Sequence, residues 1–187
     1  MEVIKTNIEG VLILEPKVFG DHRGYFFESF NAKEFAEKTG LDIQFVQDNE
    51  SRSRYGVLRG LHFQLPPYTQ SKLVRVVKGR VLDVAVDIRN GSPTYGQYAS
   101  CELTEDNHRQ FFVPKGFAHG FCVLSDDAIF QYKCDNFYAP LAEGGINILD
   151  KSLGIDWGIK IEDALLSDKD TRNPLLRDFT SPFEFNH

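Results

Sequence analysis

Hydrophobic and polar positions along this chain of 187 residues recur in short runs, most with the period of two that a pleated strand imposes. Residues 11–14 read as a short apolar strand, and residues 24–30 as a second extended segment. Residues 31–38 predict an early helix. Asn31 caps it, Glu34 completes a cap-like pair three residues on, and Gly40 ends it. Glu34, Glu37 and Lys38 form its wet face. From residue 43 the pattern is strand after strand. Residues 73–77 and 81–88 flank Lys78-Gly79-Arg80, which reads as a hairpin. Asn90-Gly91-Ser92-Pro93-Thr94 marks a turn, and strands over 97–103, 110–113, 120–124 and 128–134 follow, with Asp126-Asp127 as a turn. The tail from residue 141 is richer in Gly, Asp and Pro, with a helical turn over 163–166. Many short strands with regular turns predict a β-sandwich or barrel. No linker, repeat or low-complexity tract interrupts the chain, so residues 1–187 are expected to form a single domain.

Composition agrees with a sheet protein and narrows the partners. Aromatics make up 13% of the chain, 16 of them Phe and 7 Tyr, in runs with alternating neighbours. With 27 acidic against 21 basic residues the formal charge is −6, and no basic tract is present. That balance argues against nucleic acid as a partner, while a few local arginines still suit an anionic small molecule. The first residues lack the apolar core of a signal peptide, and no apolar run approaches the about 20 residues needed to span a bilayer. Cys101, Cys122 and Cys134 form no close-spaced metal pair and read as reduced thiols in a cytoplasm.

The segment carrying most chemistry is Arg59-Gly60-Leu61-His62-Phe63-Gln64, followed by Lys72. An imidazole near fixed positive charge suits proton abstraction next to a carbonyl, with a cation stabilising the enolate. In a regular strand His62 and Gln64 share one face, and Arg59 falls with Leu61 on the other. A bulge at Gly60 would re-aim Arg59, so joint action does not follow from spacing alone. Taken singly these residues have plainer readings. His62 is a core histidine with a satisfied hydrogen bond, Tyr132 a sheet tyrosine and Lys72 a solvated strand-end lysine. Asp168-Lys169-Asp170 is a surface charge run, and Arg52 and Arg54 are solvated or extend a phosphate site.

A second segment, Phe111-Phe112-Val113-Pro114-Lys115-Gly116-Phe117-Ala118-His119-Gly120-Phe121, breaks one strand at Pro-Lys-Gly and starts the next. With Gly60-Leu61-His62 and the Gly79 turn it resembles the two halves of a cupin barrel. Many cupins hold a metal with three histidines and a glutamate. This chain departs from that pattern, with Gln64 where a second ligand is expected and Lys72 where a ligating Glu falls. A cation beside a divalent metal is unfavourable, and two histidines make a poor metal shell. The expectation is a barrel without metal or other cofactor, with His62 freed for acid/base work.

More specifically, the chain resembles the dTDP-4-dehydrorhamnose 3,5-epimerase family from about Gly10 to Arg172. The matching residues are Phe19-Gly20-Asp21-His22-Arg23-Gly24, Phe26-Phe27-Glu28-Ser29-Phe30, Phe45-Val46-Gln47-Asp48-Asn49 and Gly56 through Gln64. Further on they are Gln70-Ser71-Lys72-Leu73-Val74, Val113 through Phe121, and Gln131-Tyr132-Lys133 leading to Tyr138. The resemblance implies a mainly β, cupin-type double-stranded β-helix (jelly-roll) barrel with a few short helices. It implies 3,5-epimerisation of dTDP-4-dehydro-6-deoxy-D-glucose to dTDP-4-dehydro-L-rhamnose in dTDP-L-rhamnose biosynthesis. His62 and Asp170 would form the base dyad, Lys72 the enolate partner with help from Arg59, and Tyr132 the opposing acid. Arg23 and Arg59 would hold the pyrophosphate. Glu28, Gln47, Asp48 and Asn49 would contact nucleoside or sugar, and Tyr138 would stack on thymine. His119, Glu143 and Lys169 carry over as further substrate contacts. The family is dimeric with exchanged strands, so Arg23 is expected to serve a neighbouring pocket. Rival readings are a 3- or 5-mono-epimerase, a ketoisomerase of another dTDP-4-keto-6-deoxy sugar, a non-catalytic sugar-nucleotide binding module, and a metal-dependent cupin oxygenase.

Overall fold

The computed structural model describes residues 1–185; Asn186 and His187, the last positions of the expected domain, lie outside the described residues. In chain order the strands are β1 (Glu2–Lys5), β2 (Leu12–Glu15), β3 (Phe19–Asp21) and β4 (Gly24–Phe26), followed by the helix α1 (Ala32–Thr39). Then come β5 (Gln47–Arg54), β6 (Leu58–Gln64), β7 (Lys72–Lys78), β8 (Arg80–Asp87), β9 (Tyr98–Thr104), β10 (Gln110–Val113), β11 (Phe117–Val123) and β12 (Asp127–Cys134). The short β13 (Glu143–Gly145) and the helix α2 (Asp168–Arg172) close the list.

Among the described residues these strands build two large antiparallel sheets. One has the order β1-β2-β10-β7-β12-β5 and the other β13-β6-β11-β8-β9. Val74, Val76, Phe111 and Phe130 from the first sheet meet Val81, Ala85, Leu103 and Phe121 from the second in one apolar cluster. Phe121 and Phe130 stack across the gap at 4.2 Å between centroids. Burying one such ring contributes about 1.5–3 kcal/mol. The outer face of the second sheet (Leu58, Leu61, Phe63, Val84, Val86) is covered by the C-terminal segment through Trp157 and Phe183. The outer face of the first sheet is partly covered by α1, which buries Phe35 against Leu14, Leu73 and Phe112. The chain therefore forms the mainly β barrel that its strand pattern predicts, in the cupin-type jelly-roll form that the resemblance implied.

The early helix forms as predicted at both ends. Asn31 Oδ1 accepts from the Glu34 N–H at 3.1 Å, and Gly40 sits at φ +74° with its N–H bonded to the Ala36 carbonyl. The Glu34 carboxylate does not reach back to complete the cap-like pair. It takes the Met1 ammonium at 2.6 Å instead, because α1 packs beside β1.

Four other expectations change. Lys78-Gly79-Arg80 is not a hairpin, because β7 and β8 belong to different sheets. Gly79, at φ +82°, is the corner where the chain crosses between them. Two alternating runs joined by a tight turn look the same whether they pair or part, and here each strand pairs with remote partners. The extended segment 24–30 is strand only over Gly24–Phe26. The helical turn lies earlier, at Ile161–Asp163, and Leu165 instead bridges Val57 in parallel. Asp127 opens β12, where Arg52 and Lys78 pair with it.

Candidate active site

The interior is not filled along its whole length. A cavity of about 590 Å³ opens between the sheets, lined by Arg59, His62 and His119 from one and Lys72 and Tyr132 from the other. A second lobe of about 290 Å³ shares His62, Lys72, Tyr132 and Glu143 and extends past Gln47, Asn49 and Tyr138. A cleft with two connected lobes suits an elongated ligand with chemically distinct ends.

A bulge shapes one wall of the cavity. On β6 and β11, His62 lies opposite His119, but Arg59 lies opposite Phe121, so three steps on β6 match two on β11. The extra residue falls at Gly60-Leu61 and turns both Arg59 and His62 toward the cavity. Glycine is needed there, because Gly60 has φ +137° and a Cβ would stand 2.6 Å from the Gly120 Cα. The re-aiming that strand alternation left open thus takes place. Arg59 Nε donates to Ser53 Oγ at 3.1 Å.

Behind His62 lies Asp170. Its Oδ1 is 2.5 Å from His62 Nε2, and the residue is 3% exposed. Of the charge run 168–170, Asp168 and Lys169 stay on the surface, while the capped turn of α2 turns Asp170 inward. Burial pushes the Asp170 carboxyl up. The His62 hydrogen bond and charge, the Ser167 side chain and the Gly60 N–H outweigh it, and the group ends below the usual carboxylate range. A buried carboxylate that holds one ring nitrogen leaves the other for a proton from a ligand.

Lys72 and Tyr132 face this dyad from the opposite sheet. The Lys72 Nζ lies 5.9 Å from the Tyr132 ring centroid. Burial lowers the Lys72 ammonium, with Cys134, Asp83 and Glu143 opposing. Burial raises the Tyr132 phenol, with the Arg59 charge opposing, so the phenol stays protonated near neutrality. An ammonium beside a cavity is equipped to stabilise a developing oxyanion, and a protonated phenol to deliver a proton.

The rim is a polar chain. The Tyr138 hydroxyl donates to Glu143 Oε2 at 2.8 Å, and Glu143 is also paired with Lys169. Burial pushes Glu143 up, but these two partners and the nearby His62 bring its carboxyl below the ordinary value. Gln47 accepts from the Tyr138 N–H at 3.0 Å and donates to Asn49, which reaches Cys134 Sγ at 3.8 Å. Gln64 is buried and accepts from the Ala139 N–H. His119 turns to Asp83, Nε2 to Oδ1 at 2.8 Å.

Three of the sequence candidates stand apart from this cavity. Arg23 lies on the exposed β3–β4 hairpin and forks onto Asp21, with Nη2 to Oδ2 at 2.6 Å. Glu28 lines a separate hollow near Met1 and Phe35. Asp48 points out of β5 and pairs with Lys133 at 2.9 Å, because alternation sends Gln47 and Asn49 to the other face. Arg54 lines the cavity, in keeping with the second of its two readings. One residue was missed, Asp83, which bonds the cavity-lining His119 from behind. The signal for Asp83 was a lone carboxylate inside the apolar run 81–86.

Among the described residues no group of three or more His, Cys, Asp or Glu is placed to hold a metal ion. The cavity's two histidines are each bonded to a carboxylate, and the Lys72 ammonium enters between the sheets beside them. That donor set fits no cupin metal. No helix of the described residues is long and apolar enough to cross a membrane.

Comparison with known proteins bears on this geometry. Residues 5–178 match the family model described as dTDP-4-dehydrorhamnose 3,5-epimerase. The enzyme of that name from Shigella flexneri is 59% identical over 91% of this chain and 93% of its own. The Legionella pneumophila dTDP-6-deoxy-D-glucose-3,5-epimerase, solved with dTDP-4-keto-L-rhamnose, superposes with TM-score 0.95 at 50% identity, covering 100% of this chain and 99% of that one. A 3'-monoepimerase from Streptomyces bikiniensis, solved with dTDP-quinovose, superposes with TM-score 0.87 at 38% identity, covering 95% and 88%. With the family model spanning nearly the whole chain and the cavity set inside the matched barrel, the chain belongs to the dTDP-4-dehydrorhamnose 3,5-epimerase family of epimerases.

Proposed function

We propose that the chain, acting as one domain, inverts C3 and C5 of dTDP-4-dehydro-6-deoxy-D-glucose to give dTDP-4-dehydro-L-rhamnose, in cytoplasmic dTDP-L-rhamnose biosynthesis. The observation that carries this reading is that His62, backed by Asp170, and Tyr132 line one cavity from opposite sheets. Inversion requires that a proton leave one face of a carbon and return to the other.

The C4 ketone acidifies the hydrogens on its two neighbours. His62 takes one of them, and the electron pair moves into the C4 carbonyl to form an enolate. Asp170 fixes the imidazole and stabilises the imidazolium. Lys72 stabilises the enolate oxygen. The Tyr132 hydroxyl then protonates the carbon from the far side. Its raised pKa does not prevent this, because an enolate carbon is more basic than a phenolate. His62 and Tyr132 re-equilibrate with solvent, and the second centre follows. No metal or other cofactor takes part.

The second lobe, with Gln47, Asn49 and Tyr138, suits the nucleoside, and Tyr138 stacks on thymine. In the first lobe Arg59 and Arg54 match the pyrophosphate, and His119, Lys169 and the shared Glu143 contact the sugar or its diphosphate. The relative solved with dTDP-4-keto-L-rhamnose supports this ligand class. Arg23, Glu28 and Asp48 do not reach the cavity of their own chain, which supports a homodimer in which the β3–β4 hairpin serves the neighbour. That hairpin leaves Phe19, Tyr25 and Phe26 55%, 61% and 67% exposed. The narrower reading, inversion at one carbon only, is supported by the likeness to the 3'-monoepimerase, at lower identity than the 3,5-epimerases.

Proton NMR in D2O with dTDP-4-dehydro-6-deoxy-D-glucose tests the proposal. Deuterium at both C3 and C5, with the L-rhamno product captured by the NADPH-dependent reductase, is the expected result. Deuterium at one centre selects the mono-epimerase, and no exchange by folded protein refutes catalysis on this sugar.

A further inference from the structure

Asp83 is out of place by every rule of its strand. On β8 the inward positions are Val81, Asp83 and Ala85, and all three are fully buried. Asp83 lies opposite Phe121 on β11 and Cys101 on β9. His119 satisfies Oδ1 at 2.8 Å, while Oδ2 is sealed from solvent with no hydrogen-bond partner. Burial pushes the Asp83 carboxyl up, and the His119 charge and hydrogen bond and the Lys72 charge oppose it. A buried carboxyl with an orphaned oxygen is costly in an apolar interior, and an aliphatic side chain would serve the core better.

The group within its electrostatic reach is Lys72, which crosses from the opposite sheet. Around Lys72 stand Tyr132 and Cys134 on β12, Arg59 and His62 on β6, His119 on β11, Glu143 on β13 and Asp83 on β8. The Cys134 thiol is pushed up to about 11 by burial and is neutral at physiological pH. Tyr132 is neutral too. Glu143 is already shared between Lys169 and Tyr138. Asp83 is then the carboxyl in reach of Lys72 with an oxygen still uncommitted, and the His119 and Lys72 charges favour its ionised form against burial.

We propose that Asp83 is a positioning residue for the proton transfers: one carboxylate oxygen fixes the His119 ring, and the other supplies the buried negative charge that keeps Lys72 an ammonium. The inference rests on reading Lys72 as the cation that stabilises the enolate. Without Asp83 the lysine, desolvated and near Arg59, sheds its proton at lower pH. The site then loses its oxyanion partner while its shape is unchanged.

Asp83→Asn keeps the acceptor for His119 and removes the charge. The expected result is a 10- to 100-fold lower kcat with KM changed less than threefold, and an alkaline limb of the pH–rate profile displaced toward lower pH. Thermal stability is equal or higher, since a buried charge has gone. In protein labelled with 15N-lysine, the Lys72 Nζ resonance, assigned with Lys72→Arg, titrates at lower pH in the variant. In a Lys72→Met background, Asp83→Asn costs no further activity. An unchanged Nζ midpoint, or a variant that is merely less stable with an unmoved pH limb, overturns the proposal. A wild-type protein that exchanges no ketosugar protons refutes the epimerase reading instead, and the Nζ titration still decides this one.

Discussion

His62 and His119 lie directly opposite each other on β6 and β11, yet each bonds through Nε2 to a carboxylate of its own: Asp170 at 2.5 Å and Asp83 at 2.8 Å. Two neighbouring imidazoles on one wall are thus held by groups from different parts of the chain. The partner of His62 comes from a helix 108 residues later, at the cavity edge, and that of His119 from a strand inside the barrel.

This division predicts different losses. His62→Asn removes the base, and deuterium exchange at both carbons falls by about 10²–10⁴-fold. His119→Asn, which removes a substrate contact but not the base, lowers exchange by less than His62→Asn, with the larger effect on KM. Measuring exchange by NMR in both variants, with circular dichroism to confirm folding, checks the assignment. Equal losses in the two would contradict it.

Tyr132→Phe separates exchange from inversion. The aromatic ring remains, so the packing against Phe130 at 6.0 Å is kept and only the hydroxyl is lost. His62 still forms the enolate and returns a deuteron to the face it came from. The expected product is deuterated sugar of the starting configuration, with inversion reduced about 100-fold or more.

Asp170 links the site to acid stability. Its folded carboxyl lies below the ordinary value of 3.8, so the folded state favours the ion. The stabilisation is complete above the unfolded value and disappears as pH falls through the lower folded value. Urea unfolding of wild type and Asp170→Asn should therefore differ most near neutrality and converge below about pH 4. A difference that grows on acidification would reverse the sign of this linkage.

Gly60→Ala tests the bulge. The new Cβ meets the Gly120 Cα at 2.6 Å and the His119 carbonyl at 2.8 Å, on a backbone at φ +137°. A stability loss of about 1–3 kcal/mol is expected from the backbone strain alone. Activity should fall more than stability, because Arg59 and His62 lose their common face. Chemical denaturation and kcat together decide this, and full activity in a destabilised variant would show that the bulge does not orient the pair.

Mixing subunits tests the proposed exchange of the β3–β4 hairpin. Arg23→Ala and His62→Ala homodimers are each expected to be impaired. Unfolding and refolding them together gives hybrids in which one site has intact parts from both chains, and activity recovers to about a quarter of wild type by random pairing. No recovery, with hybrids demonstrated by native mass spectrometry, means that Arg23 does not act across subunits.

The sequence by itself determined the class of the fold and most of the chemistry. Period-two runs broken by turn residues specify strands, and the Asn31 and Gly40 caps mark the helix ends, because both signals are local. His62, Lys72 and Tyr132 were legible as candidates through residue type and through resemblance. Tertiary structure decided what local signals do not encode. Whether the runs beside Gly79 pair or part depends on which distant strands offer apolar faces. Whether Arg59 joins His62 depends on a bulge formed by close contact between Gly60 and Gly120. Asp170 becomes a partner of His62 only because α2 folds back over β6, and Asp83 meets His119 only once β8 pairs with β11 inside the barrel. A buried charge is visible in sequence as an interruption of an apolar run, but its partner is chosen by packing across the whole domain.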